Sequence, residues 1–162
     1  PGYPANRHFV RMMEGEPVGI AVGPDSHYQL TAELLAQHWG SRTVAALLAS
    51  PSNPTGTLAS SAAIRDMAAL AAQRGGVLIV DEIYHGLVYD QAAETALGVS
   101  ENIFIINSLS KYFQMTGWRL GWMVAPERYV REIDKLSQNV YLAAPTPSQY
   151  AALAAFEPET LA

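Results

Sequence analysis

Three apolar runs of strand length, at residues 43–49, 77–80 and 103–106, are separated by helical or loop-like sequence, and none alternates apolar with polar residues. Strands that are apolar throughout need cover on both faces, and strand–helix–strand alternation supplies it. The pattern predicts an α/β fold: a three-layer sandwich on a mainly parallel sheet, with helices on both faces. Two further runs bring the expected sheet to about five strands: 18–22, behind the turn-prone Gly15-Glu16-Pro17, and 120–124. Only about a dozen residues, with no helical spacing, link 103–106 to 120–124, the lower limit for a parallel crossover. The last strand is therefore expected to run antiparallel.

Helices fall between and after these runs. Residues 30–39 place Leu30, Leu34, Leu35 and His38 at helical spacing behind a Thr31 start signal. Ser60 or Ser61 can cap a helix running to Arg74, with Ile64, Met67, Ala68 and Ala71 on its apolar face. Gly75-Gly76 is its stop. A further helix is predicted over 126–138, and a last one starts at Ser148, after Pro145-Thr146-Pro147.

Composition narrows the classes. Of 162 residues, 49% are apolar and only 15% charged, which excludes a disordered chain. A net charge of −5, with no block of Lys or Arg, argues against nucleic acid or an anionic membrane as the main partner. Without cysteine, disulfides and thiolate metal sites are excluded. No apolar run reaches the roughly 18 residues of a membrane span, and no secretory pattern opens the chain. A cytoplasmic protein is the expectation. Pro1-Gly2-Tyr3-Pro4 is turn chemistry, an odd opening for a domain, and the chain stops just after a helical run. It reads as an excised piece of a longer protein.

Asn53, Asp81 and Ser108 each come just past the end of a predicted parallel strand. Open α/β sheets bind ligands outside the carboxyl ends of their strands. Topology alone thus delivers three distant polar groups to one edge of one sheet.

The residues around them form one chemical set. Lys111, in Ser108-Leu109-Ser110-Lys111, offers an amine that condenses with an aldehyde to an imine. Arg119, in Gly117-Trp118-Arg119-Leu120-Gly121, offers a planar fork for phosphate oxygens, and the Ser108 and Ser110 hydroxyls complete a cup. Asp81 follows an apolar strand, where burial is costly unless the carboxylate meets a cation such as a protonated pyridine nitrogen. Tyr84, in Asp81-Glu82-Ile83-Tyr84, can bond a ring oxygen. Glu82 is read as structural and His85 as a flanking residue, since Lys111 already covers the base role. Asn53-Pro54-Thr55-Gly56 has turn composition, with X-Pro bonds on either side of Asn53. The set suits a phosphorylated pyridine aldehyde.

In this order and spacing the four motifs resemble the class I/II aminotransferases, fold type I enzymes dependent on pyridoxal 5'-phosphate. The resemblance runs from Pro1 to about Ala155. It implies that Lys111 is the Schiff-base residue and Asp81 the pyridine-nitrogen partner. It implies that Tyr84 and Asn53 bond the 3-oxygen, and that Ser108 and Arg119 bind the phosphate. Tyr3 resembles the family's aromatic that stacks on the cofactor ring, and Asn53–Pro54 is implied to be cis. Residues 1–162 would be part of the large domain, without its N-terminal part or the small C-terminal domain. The whole enzyme would be a homodimer moving an amino group between an amino acid and a 2-oxo acid. The segment alone is expected to bind cofactor weakly and not to turn over. Other fold type I enzymes share these motifs (β-lyases, cyclopropane-carboxylate synthases, decarboxylases), as do cofactor-sensing domains of transcription regulators.

Overall fold

The computed structural model describes residues 2–161; Pro1, which begins the expected opening turn, and Ala162 lie outside the described residues. At its centre stands a sheet of four strands, β1 (Ala45–Ala49), β2 (Val77–Asp81), β3 (Ile103–Ser108) and β4 (Gly121–Val124), in that spatial order. The first three are parallel, and β4 returns antiparallel with Ser108 opposite Gly121. The mainly parallel sheet and its reversed last strand are as expected.

The fifth strand is not. Residues 18–22 pair with nothing among the described residues. Gly19 within the run weakens a strand. Val18 is 63% exposed, and Ile20 packs against the core instead of joining the ladder. One partly buried side chain anchors this run without a partner strand.

Helix α1 (Ala5–Met12), unforeseen in the sequence, buries none of its residues. Helix α2 (Ala32–His38) begins where Thr31 accepts the Leu34 N–H at 3.2 Å. Helix α3 (Ser61–Gln73) makes the β1–β2 crossover, capped by Ser60 through the Ala63 N–H. Its buried face is the expected Ile64, Met67, Ala68 and Ala71. These residues share one core with Ala46, Leu48, Leu78, Val80, Ile103 and Ile105, alternate residues of three strands aligned by register. Each larger side chain buried there contributes about 1.5–3 kcal/mol. A Cβ on Gly76 would lie 2.4 Å from the Trp39 ring, so glycine lets Trp39 pack over the entry to β2.

The opposite face is only partly covered. Phe104 meets Tyr129 of α4 (Glu127–Val140) with ring centroids 5.3 Å apart, while Leu47 and Ile106 remain exposed. Helix α5 (Thr146–Ala155) starts two residues before the expected Ser148, because Pro147 fits the first turn, where no N–H is needed. Ser148 is buried and donates instead to the Trp118 carbonyl at 2.6 Å. A last turn, α6 (Pro158–Leu161), follows.

The β2–β3 crossover contains no helix and is held by a buried carboxylate. Successive residues at a strand end point to opposite faces, so Glu82 turns into the core where Asp81 does not. Glu82 is 3% exposed and accepts the Ala96 N–H at 2.6 Å and the Thr95 hydroxyl at 3.0 Å. His85 Nδ1 lies 3.5 Å from the same carboxylate. No helix among the described residues is long and apolar enough to cross a membrane.

Candidate active site at the strand ends

The register sets Ala49 beside Asp81 and Asp81 beside Ile106, two positions before Ser108. Asp81 and Ser108 are the last residues of β2 and β3, and Asn53 stands in the loop leaving β1. Three chain segments thus open onto one edge.

The β1 loop is tightly closed. The Ser50 N–H donates to the Asp81 carbonyl, the Ser52 N–H to the Thr57 carbonyl and the Gly56 N–H to the Ser52 carbonyl. Asn53–Pro54 is cis, and so is Ser50–Pro51. Asn53 Nδ2 donates to the Tyr84 hydroxyl at 3.2 Å.

Tyr84 sits on a turn in which the His85 N–H bonds the Glu82 carbonyl and the Leu87 N–H bonds the Tyr84 carbonyl. Gly86 has φ 88°, and a Cβ there would lie 2.4 Å from the Tyr112 ring. Tyr112 therefore rests against the Gly86 backbone. Its neighbour Lys111 reaches the same turn, with Nζ 5.6 Å from the centre of the Tyr84 ring. That is within the range of a cation–π contact.

Asp81 Oδ1 accepts the Ile83 N–H at 3.0 Å. Burial pushes its carboxyl above the ordinary aspartate value; the Ile83 hydrogen bond opposes the shift and the Glu82 charge adds to it. Among the described residues no salt bridge reaches Asp81.

Ser108, Ser110 and Arg119 share one bonded loop. Ser108 Oγ accepts the Ser110 N–H at 3.1 Å and lies 2.8 Å from Ser110 Oγ. The Thr116 hydroxyl donates to the Ser110 carbonyl, and Arg119 Nη1 donates to the Thr116 carbonyl at 2.9 Å. Arg119 has a left-handed φ of 52°, which turns the chain into β4 and leaves the guanidinium exposed. Tyr3 stands apart: it is 52% exposed, and among the described residues no hydrogen bond or ring contact joins it to the others.

The family profile for aminotransferases of class I and II matches residues 1–162. The chain belongs to that family. A valine–pyruvate aminotransferase of Mycobacterium tuberculosis is 40% identical over 164 residues, spanning 100% of this chain and 42% of the relative. A (5-formylfuran-3-yl)methyl phosphate transaminase of Methanocaldococcus jannaschii is 37% identical over 99% of this chain and 41% of its own. The crystal structure of an aminotransferase from Mycobacterium tuberculosis matches with a TM-score of 0.93 at 40% identity, covering 99% of this chain and 42% of that one. The chain therefore spans well under half the length of these relatives.

Two groups behind this candidate site have roles the sequence did not indicate. The Ser148 hydroxyl fastens α5 to the Trp118 carbonyl, one residue before Arg119. Gln29, buried, bonds the loop that carries Asn53. A single polar residue flanked by Tyr28 and Leu30 carries no local pattern that marks it as buried.

Proposed function

We propose that residues 1–162 form part of the large, cofactor-binding domain of a pyridoxal-phosphate-dependent aminotransferase. The parent would move an amino group between an amino acid and a 2-oxo acid. One observation carries this reading: Lys111 Nζ stands 5.6 Å from the ring of Tyr84, whose hydroxyl accepts the Asn53 amide. An amine, a phenol and an amide converge beside the strand that ends in Asp81.

The donor set fits the cofactor. A carboxyl pushed up by burial is stabilised by a cation, and a protonated pyridine nitrogen is one. The loop bearing Ser108, Ser110 and Arg119 presents hydroxyls and a guanidinium suited to a phosphate. When bound, pyridoxal phosphate supplies a ring that withdraws electrons from the substrate's α-carbon.

The chain's own residues do the rest. Lys111 would be the amine that holds the cofactor's aldehyde carbon and the base that moves the substrate's α-proton. Asp81 would keep the ring nitrogen protonated. Tyr84 and Asn53 would hydrogen-bond the ring's 3-oxygen, and Ser108, Ser110 and Arg119 would hold the phosphate. Tyr3 would stack on the ring. The regions beyond this segment complete the substrate site, and the whole enzyme would be a cytoplasmic homodimer. The segment alone would bind cofactor weakly and not turn over.

The test is the absorbance of the full-length protein with added pyridoxal phosphate. A band near the visible edge is expected and should vanish in Lys111→Ala. A band that survives that substitution would overturn the reading.

A further inference from the structure

Gln29 lies far from every motif in the sequence, yet it is 7% exposed and bonded to the frame of the Asn53 loop. Its Nε2 donates to the Thr57 carbonyl at 2.7 Å, 28 residues on, where the loop returns. The same nitrogen lies 3.2 Å from the Ala49 carbonyl at the end of β1, and 3.3 Å from Thr57 Oγ1. The Thr57 carbonyl also takes the Ser52 N–H at 3.0 Å. One amide thus ties the outgoing limb of the loop to its returning limb.

Both flanks fix where this side chain goes. Tyr28 has a left-handed φ of 57°, and Leu30 packs against the core. An apolar residue at position 29 would satisfy burial as well, but it would leave the Ala49 carbonyl without this donor and strip the Thr57 carbonyl of one of its two. Ser50 adds a second rivet, its Oγ, in a residue 1% exposed, accepting the Ala59 N–H at 2.9 Å. In the loop that both rivets close stands Asn53, whose amide reaches Tyr84 at 3.2 Å, near the outer limit of a hydrogen bond. At that length a small displacement of the loop breaks the contact.

We propose that Gln29 is a positioning residue for Asn53: by clamping Ala49 to Thr57 it sets where the Asn53 amide meets the Tyr84 hydroxyl. The proposal rests on the reading of Asn53 and Tyr84 as partners of the cofactor's ring oxygen. Gln29 itself touches no reacting group.

The experiment is a double-mutant cycle in the full-length enzyme, with Gln29→Leu, Asn53→Ala and the pair. Two readouts are taken, neither of them activity. The first is amide hydrogen exchange of the cofactor-free protein. Gln29→Leu should speed exchange about tenfold at residues 50–59 and leave the interior of α3 unchanged. The second is the pH at which the bound cofactor's absorbance changes form. Asn53→Ala should move it by about half a pH unit or more, Gln29→Leu in the same direction, and the pair no further than Asn53→Ala alone. Gln29→Glu, which keeps the shape and loses the donors, runs in parallel should Gln29→Leu fail to fold. A shift in Asn53→Ala with none in either Gln29 variant overturns the proposal alone, and so do shifts that simply add. No shift in Asn53→Ala overturns the functional reading and this proposal together.

Discussion

Asn53 and Tyr84 stand 31 residues apart in the chain, and the amide of the first donates to the hydroxyl of the second at 3.2 Å. The contact joins the loop after β1 to the turn after β2. Tyr84→Phe should remove it while leaving the ring under Lys111 in place. A hydrogen bond to a charged group contributes about 1.5–3 kcal/mol, so kcat/KM of the full-length enzyme should fall roughly 10- to 100-fold. Asn53→Ala should fall less, since the Tyr84 hydroxyl remains. Equal kcat/KM for Tyr84→Phe and the parent would contradict the placement of the phenol at the cofactor.

How legible this site was depends on how each residue is placed. Asp81 and Ser108 could be read because an apolar strand announces its own end, and parallel strands end together. Ile64, Met67, Ala68 and Ala71 could be read because a helix repeats its buried face every three or four residues. Residues 18–22 read as a strand because the run is apolar, but strand pairing needs a neighbour that the run's own sequence does not specify. Helix α1 left no core pattern, since all of it is unburied. Ser148, after Pro145-Thr146-Pro147, reads as a helix start, whereas α5 begins at Thr146 and the Ser148 hydroxyl serves Trp118. Gln29 was invisible: its role is set by two carbonyls in another part of the chain, and nothing local encodes that.

Gly86 brings a second prediction, about how Lys111 is held. Its φ of 88° disfavours any side chain, and a Cβ would overlap the Tyr112 ring at 2.4 Å. Gly86→Ala should push Tyr112 away and take Lys111 with it. The expected loss is about 1–3 kcal/mol of stability, read by denaturant unfolding, together with a slower return of the visible band when cofactor is added to the apoenzyme. Unchanged stability and an unchanged band would show that Tyr112 moves aside freely and does not position Lys111.

Asp81 makes a prediction about pH. Its folded-state pKa is raised by burial, so the native protein holds that proton more tightly than the unfolded chain. Stability from this group is present below the ordinary aspartate value and is lost as pH rises through the raised one. Above that raised pKa the cofactor-free protein carries a partly buried carboxylate with no salt-bridge partner among the described residues. Asp81→Asn keeps an acceptor for the Ile83 N–H and removes the charge. It should melt higher than the parent at neutral pH, with the difference shrinking toward acid. The same substitution should weaken the cofactor-loaded enzyme, whose ring nitrogen loses its counter-charge. A variant that melts lower at neutral pH without cofactor would show that burial is not the dominant effect on this carboxyl.

Glu82, next to Asp81, turns the other way and makes the opposite prediction. It bonds the Ala96 N–H and the Thr95 hydroxyl, and so pins a crossover that has no helix to hold it. Ala96 is 0% exposed, and removing its acceptor leaves a buried N–H with no partner. Glu82→Ala should therefore cost about 1–3 kcal/mol for that amide alone, with further loss from the cavity left behind. Glu82→Gln keeps an oxygen for the amide and should recover part of it. Because Glu82 faces the core and not the strand edge, either variant that folds should bind cofactor with its visible band unchanged. Chemical denaturation paired with the absorbance spectrum separates the two neighbours: Asp81 should govern the spectrum, and Glu82 the unfolding midpoint. A Glu82 variant of full stability with an altered band would reverse that assignment and put the second carboxylate, not the first, at the cofactor.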